Sequence, residues 1–371
     1  MPRPKPTVHI ALITALLVTI AELVCAEHSL GQTTAYTVLE LSAADAGQIP
    51  CRLNNLGDLV GRSGNSGGGQ TGATLWGHQT WLPKRLGALS GGDYSSAFAI
   101  NDAADIAGAS NTGNSLVPFI WKGNGGMQRI PLLPGDNCGQ GFSINKYGHV
   151  AGYSSGRNGA RAFLWTRSIG IRNLGSLPGG NYSRARKVND SDEVAGTSAS
   201  PNGNRAVLWT NTGQIRDLGT LPGDTSSEAI AINNAGDVVG YSKGPGGLRA
   251  FLWADATGMQ NLGALPGGNG SRALDINDLG YVVGSSTSSV GDRAFIWTKQ
   301  EGMSDLNNAA SANLGVVFVE AHAINDKGQI LVMGKATPEV NAGGGASLLG
   351  DHDDCAPAPP STFLLTPTLG H

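Results

Sequence analysis

After residue 30 the sequence shows no helical period, and only 14% of its residues are charged. Glycine is plentiful instead, at 56 of 371 residues. Val, Ile, Thr and aromatic segments between glycines suit short strands and tight turns rather than amphipathic helices. Basic residues are not in excess. The formal net charge is −3, which excludes the positive field that a nucleic-acid partner requires. No second long apolar run follows the N-terminal one, so no later membrane-spanning helix is expected. No two carboxylates stand at a spacing that places them in one cleft, which leaves a glycosidase reading without residues. Asp351-His352-Asp353-Asp354-Cys355 lacks the spaced tetrahedral set of a zinc site and reads as an acidic loop. Gly64-Asn65-Ser66-Gly67-Gly68 lacks the strand-to-helix context that exposes a nucleophile. No metal or cofactor is implied.

The N-terminus reads as a secretory signal. Arg3 and Lys5 precede an apolar stretch, Ile10 to Ile20, and Val24-Cys25-Ala26 offers small residues for cleavage after Ala26. An uncleaved anchor ranks second because the apolar run is short for a span. A lipid anchor on Cys25 ranks lower, since Glu22 sits where an aliphatic residue is wanted. Cleavage leaves 23 basic and 27 acidic residues, a net −4, and a chain expected to be secreted, periplasmic or at the cell surface. Cys51, Cys138 and Cys355 remain. An odd count leaves one thiol free or paired between chains.

What is present is repetition. An Asn after an aliphatic residue recurs at Asn54, Asn101, Asn145, Asn189, Asn233, Asn277 and Asn325, with gaps of 47, 44, 44, 44, 44 and 48 residues. Trp121, Trp165, Trp209, Trp253 and Trp297 each lie 20 residues after that Asn, and Trp76 lies 22 after. A period of about 40–50 residues made of short β segments is the signature of propeller blades. The expected fold is all-β: a seven-bladed β-propeller of four-stranded blades spanning residues 36–367.

Within a unit the first strand runs into the Asn, as in 229–233, and the second follows a tight Asn-x-x-Gly hairpin. The third carries Arg-Ala-Phe-Leu-Trp, as in 249–253, and the fourth is Met-Gln-Asn-Leu, as in 259–262. A Leu-Pro-Gly-Gly segment then crosses to the next blade. In this phase the chain begins one strand early and ends one strand short. Residues 36–41 therefore supply the outer strand of the last blade and close the ring. Residues 27–35 are expected to be a flexible lead, 335–361 a long loop inserted in the last blade, and 368–371 a tail. A closed ring makes the first and last repeats neighbours, so Cys51 and Cys355 are candidates for a disulfide.

Arg161-Ala162-Phe163, Arg249-Ala250-Phe251 and Arg293-Ala294-Phe295, with Leu-Gly-x-Leu-Pro-Gly-Gly and Ile-Asn-Asp-x-Gly segments, resemble HAF repeats, with Arg in place of the family's His. The resemblance covers about residues 36–367. It implies an exported, propeller-like protein and brings no mechanism.

The repeated residues read as structural. The Asn caps its turn, and the Trp series packs blade on blade. Gly57, Gly148, Gly236, Gly280 and Gly328 supply positive φ; Ala104 and Asp192 stand at the same place, and turns that are distorted or of another type are expected there. Gly61, Gly108, Gly152, Gly196, Gly240 and Gly284, seven after the Asn, suggest a bulge or a close backbone approach. The crossing loops and the second-to-third-strand loops share one face, and variable loops on a rigid scaffold are where binding sits. Tyr94, Asp136, Tyr182, Arg184, Asp224 and Arg272 are the binding candidates on that face, with Arg–carbonyl contacts in a solvated rim as the plainer account. The function expected is a binding scaffold for an extracellular polysaccharide or a surface protein. The alternatives are a polysaccharide-acting hydrolase or lyase, marked by acids or His converging in the channel, and a purely structural envelope component.

Overall fold

The structure, a computed structural model, describes residues 35–41, 48–64, 71–123, 125–310, 315–336 and 361–368. The expected signal segment, the Gly64–Gly68 motif beyond Gly64, and Cys355 lie outside them. Seven four-stranded antiparallel sheets form the ring. Blades 1 to 6 occupy residues 48–85, 95–129, 136–173, 183–217, 226–263 and 271–305. Blade 7 takes Val316–Ile324, Ile330–Ala336 and Ser361–Pro367, and Tyr36–Glu40 completes it. Lys335, Ala336 and Ser361, expected in the inserted loop, belong to strands of that blade, and 337–360 lie outside the described residues.

Closure follows the phase expected from the sequence. Tyr36 pairs with Pro367 and Glu40 with Phe363, and Thr368 N–H donates to the Ala35 carbonyl at 2.8 Å. Tyr36 is buried with Leu306, Phe318 and Phe363. Burial, with the neighbouring Tyr281, pushes its phenol up to about 12.

The core lies between blades. Ala162, Leu164 and Leu177 of blade 3 and its crossing segment pack on Val188, Val207 and Trp209 of blade 4. One Phe of the third strand is buried at each of Phe119, Phe163, Phe251, Phe295 and Phe363. Each such side chain contributes about 1.5–3 kcal/mol by leaving water. Trp76, Trp121, Trp209 and Trp253 are buried as the period implies, while Trp165 and Trp297 are half-buried.

Every inner strand carries a β-bulge three residues before its Asn. The glycine seven after the Asn faces that bulge. A Cβ at Gly61, Gly152 or Gly284 would stand 1.9 Å from the carbonyl oxygen of Ile49, Gln140 or Arg272, a contact no side chain survives. Blade 7 has Val332 there and carries a second register shift between Phe318 and Glu320.

The turns at Ala104 and Asp192 are not distorted, contrary to expectation. Both residues adopt the left-handed conformation, φ 57° and 60°. Both keep the hydrogen bond of the glycine turns, Ala104 N–H to Asn101 O at 3.0 Å and Asp192 N–H to Asn189 O at 3.2 Å. The ring of neighbouring turns imposes the conformation, at a cost of about 1–2 kcal/mol for a non-glycine residue.

Candidate functional site: the central channel

Each inner strand runs from the crossing-loop face to its Asn turn, so position relative to the Asn measures depth along the axis. At the turn itself each Asn does two jobs. Its Oδ1 accepts the N–H groups two and four residues on, as in Asn233 with Ala235 at 3.1 Å and Asp237 at 2.9 Å. Its Nδ2 donates to the carbonyl of the next blade's Asn: Asn54 to Asn101, 3.1 Å; Asn101 to Asn145, 3.0 Å; Asn145 to Asn189, 3.1 Å. The series continues with Asn189 to Asn233, 3.2 Å; Asn233 to Asn277, 3.3 Å; Asn277 to Asn325, 3.0 Å. Asn325 to Asn54 at 2.9 Å closes the circle. Turn capping was legible in the sequence; the interblade circle was not, because it needs the turns side by side.

One residue outward, Asp102, Asp190, Asp278 and Asp326 stand with Asn55, Asn234 and Lys146. Their side chains accept backbone N–H groups across blade boundaries, as Asp326 does from Asp278 at 2.8 Å. Asn234 Nδ2 bridges Asp190 and Asp278, at 3.1 and 2.7 Å. This mouth of the channel is acidic.

From this mouth through the Asn circle and inward runs a cavity of about 310 Å³ lined by all seven inner strands. The bulges aim one residue from each strand into it: Cys51, Phe98, Phe142, Arg186, Ile230, Leu274 and His322. Bulges re-aim side chains in this way. The residue before the bulge is small and the one before the Asn is aliphatic throughout, while the position between them varies, from Ala99 and Ala231 to Arg52, Lys187 and Asp275. The bulge position does not repeat.

The channel's charges meet in pairs. Lys187 of blade 4 reaches Asp275 of blade 6, and Asp275 also accepts the Ile324 N–H at 3.1 Å. His322 lies 2.9 Å from the buried Glu320 carboxylate and also contacts the Met333 sulfur. Arg52 donates to the Cys51 carbonyl at 2.8 Å. Burial holds Arg52 below the ordinary guanidinium value, against the pull of Asp275 and Glu320. Burial likewise lowers Arg186, although Glu228 lies 4.0 Å away. Among the described residues no group of three or more His, Cys, Asp and Glu side chains could hold a metal ion.

Of the rim candidates, Tyr182, Arg184 and Arg272 belong to the approach to this channel. The Arg184 guanidinium lies 4.5 Å over Tyr153 and 6.0 Å from Tyr182. Arg272 is buried 5.2 Å over Tyr241. Burial and the Glu228 carboxylate push the Tyr241 phenol up. Asp136 and Asp224 instead tie crossing loops. Asp136 pairs with Arg161 at 2.7 Å, and Asp224 with Arg249 at 2.8 Å. The same arginines donate to the Pro134 and Pro222 carbonyls, at 3.1 and 2.8 Å. Tyr94 is half-buried and holds Asn111 through its backbone, at 2.8 and 3.0 Å. Cys51 is disulfide-bonded and Cys138 is a free thiol; the expected partner Cys355 falls outside the described residues. The bulge residues and the Lys187–Asp275 pair were missed in the sequence. The sequence signal available was that several inner-strand positions, the bulge among them, vary between a recurring small residue and the aliphatic one before the Asn of each repeat.

No protein-family model matches the chain, and no curated protein matches it. Solved structures do. A streptogramin B lyase aligns over 91% of this chain and 100% of its own, at 13% identity and a TM-score of 0.53. An oligogalacturonate lyase in complex with manganese aligns over 89% and 93%, at 12% identity and TM-score 0.54. The β-propeller domain of the Trilobed protease from Pyrococcus furiosus, described as having an open velcro topology, aligns over 84% and 98%, at 10% identity and TM-score 0.53. At these identities the likeness is one of fold. No helix among the described residues is long and apolar enough to cross a membrane. The chain is therefore a seven-bladed β-propeller whose ring closes through its own N-terminal strand.

Proposed function

We propose that this chain is an exported binding scaffold of the HAF-repeat kind, which takes an extracellular polysaccharide or a surface protein at the crossing-loop end of its channel. One observation carries the reading. The inner strands keep a small residue before the bulge and an aliphatic one before the Asn, yet differ at the positions that line the channel, from Phe98 and Phe142 through Arg186 and Lys187 to His322. A ring serving only closure has no use for that variety, and function on a shared fold lives in such grafted positions. The channel acids also favour binding over hydrolysis, since Asp275 and Glu320 are engaged with Lys187 and His322.

The second reading, a polysaccharide hydrolase or lyase, draws on the His322–Glu320 contact of 2.9 Å, a base and its orienting carboxylate in one cavity. A single assay separates the two. The purified chain is mixed with polysaccharides and envelope fractions and scored for co-sedimentation and for soluble products. Retention without products is the expected result. Products that accumulate with time and vanish in His322→Gln would establish the enzyme.

A further inference from the structure

Among the described residues seven large apolar side chains are exposed. Single ones are ordinary on any surface, but these are not spread evenly. Leu39 lies on the outer strand of blade 7, and Val290 on a loop of the crossing-loop face. The other five lie on the Asn-turn face, at the opposite end of the ring. Leu56, Tyr147 and Leu279 tip the inner turns of blades 1, 3 and 6 around the channel mouth, and Leu82 and Ile169 tip the outer hairpins of blades 1 and 3.

The fold makes no demand for large side chains at the inner tips. Leu56, Tyr147 and Leu279 each stand two residues after the repeat Asn. Each gives the turn only its backbone N–H, donated to the Asn Oδ1 at 3.0, 3.1 and 3.1 Å. Ser191 and Ala235 make the same bond at the same place, at 3.0 and 3.1 Å. Apolar surface gathered on one face with no structural return marks a contact surface.

The charge of this face decides what covers it. The inner turns, residues 54–58, 101–105, 145–149, 189–193, 233–237, 277–281 and 325–329, carry nine carboxylates against two lysines, Lys146 and Lys327. Four of the nine are paired, with His78, Lys122, Lys146 and His149. The other five, Asp102, Glu193, Asp237, Asp278 and Asp326, accept only from asparagine side chains and backbone N–H groups among the described residues. A second copy presenting the same face would meet like charge, and so would an anionic membrane.

We propose that the Asn-turn face docks a protein segment that alternates basic and apolar residues. Its cations lie over the mouth carboxylates and its apolar side chains on the Leu56, Tyr147 and Leu279 tips. This goes beyond the scaffold reading, which concerns the opposite end of the ring.

The test is titration of the full chain, by fluorescence anisotropy, with three labelled peptides of alternating Lys-Leu, Lys-Ser and Glu-Leu. The Lys-Leu peptide should bind about tenfold or more tighter than either of the others. Leu56→Ser, Tyr147→Ser and Leu279→Ser combined should abolish the preference for Lys-Leu over Lys-Ser and leave the melting temperature unchanged, since blade 4 builds the same turn with Ser191. Val290→Ser, at the same 62% exposure as Leu279 but on the opposite face, should leave binding unchanged. Asp102→Asn with Asp278→Asn keeps the acceptors of the mouth, as Asn55 and Asn234 do, and should weaken the Lys-Leu peptide and flatten its salt dependence. Equal binding of the three peptides, binding of none, or a loss in Val290→Ser as large as in the triple variant overturns the proposal. So does a dimer, or attachment to lipid vesicles, that the triple variant abolishes, because a second copy or a membrane would then be the occupant.

Discussion

At the scale of single residues, the repeat Asn shows how one side chain serves two levels of structure. Its oxygen makes the turn and its nitrogen joins the blades. The two are separable. Asn233→Ala should cost about 1–3 kcal/mol, since it strands buried N–H groups and a buried carbonyl. Asn233→Asp keeps the acceptor but sets a carboxylate oxygen against the Asn277 carbonyl and the Asp237 carboxylate, where the amide N–H had donated, so it should cost at least as much in urea unfolding at neutral pH. A loss smaller than alanine's would mean that the turn bonds carry most of the effect. The left-handed residues make a second test. Ala104→Gly should stabilise by up to about 1 kcal/mol, because it relieves the backbone at φ 57°. Asp192→Gly should not, because Asp192 accepts from His149 Nδ1 at 2.7 Å and from Asn145 at 2.9 Å. A third concerns pH. Burial pushes the Asp58 carboxyl up, but hydrogen bonds from the His78 backbone and ring and from Asn54 outweigh it and hold it below the usual carboxylate range. A depressed pKa contributes stability above the unfolded-state value of about 4 that is lost as pH falls through the folded value. The stability gap between wild type and Asp58→Asn should therefore close on acidification, as read by melting from neutral to strongly acidic pH.

At the scale of the element, the bulge and its facing glycine are one device. The glycine lets the inner strand's carbonyl approach, and the bulge turns the next side chain into the channel. Gly152→Ala should therefore cost about 3 kcal/mol or prevent folding, since its Cβ would meet the Gln140 carbonyl oxygen at 1.9 Å. Gly113→Ala serves as the comparison; it has open space but φ 60°, so it should cost only about 1 kcal/mol. The closing strand is the other telling element. Deleting residues 35–41 exposes Phe363 and Leu365 and leaves the last blade with an unpaired edge, so the melting temperature should fall sharply. A truncated chain that melts with the intact one would remove the closure from the account of stability.

At the scale of the whole molecule, closure changes how the repeats share their stability. An open array of repeats propagates unfolding from its ends. Here the first and last blades are joined by Asn325 to Asn54 and by Asp326 with Asn55, at 2.9 Å in each case, so there is no end to fray. Unfolding followed by far-ultraviolet circular dichroism and by tryptophan fluorescence should give coincident curves. Separate midpoints would indicate blades that open independently. The Lys187–Asp275 pair also belongs to this scale, because it joins blades 4 and 6 across the channel.

Much of this was legible in the residues. A 44-residue period, alternating strand segments and the Asn-x-x-Gly turn are local patterns, and local patterns dictate local structure. They determined the blade, the number of blades, and the phase that makes the N-terminal strand the closing one. Strand direction alone decides which ends share a face, and that is the whole ground on which the sequence groups Tyr182, Arg184 and Arg272. What the residues could not declare was which side chains meet around an axis. Lys187 and Asp275 are 88 residues apart, and only ring closure sets them across one cavity. The Asn circle exists only once seven turns lie side by side. Local propensity acts within a few residues of the chain, whereas the channel is made by contacts between repeats, and the tertiary structure alone decided its charge, its walls and its open end.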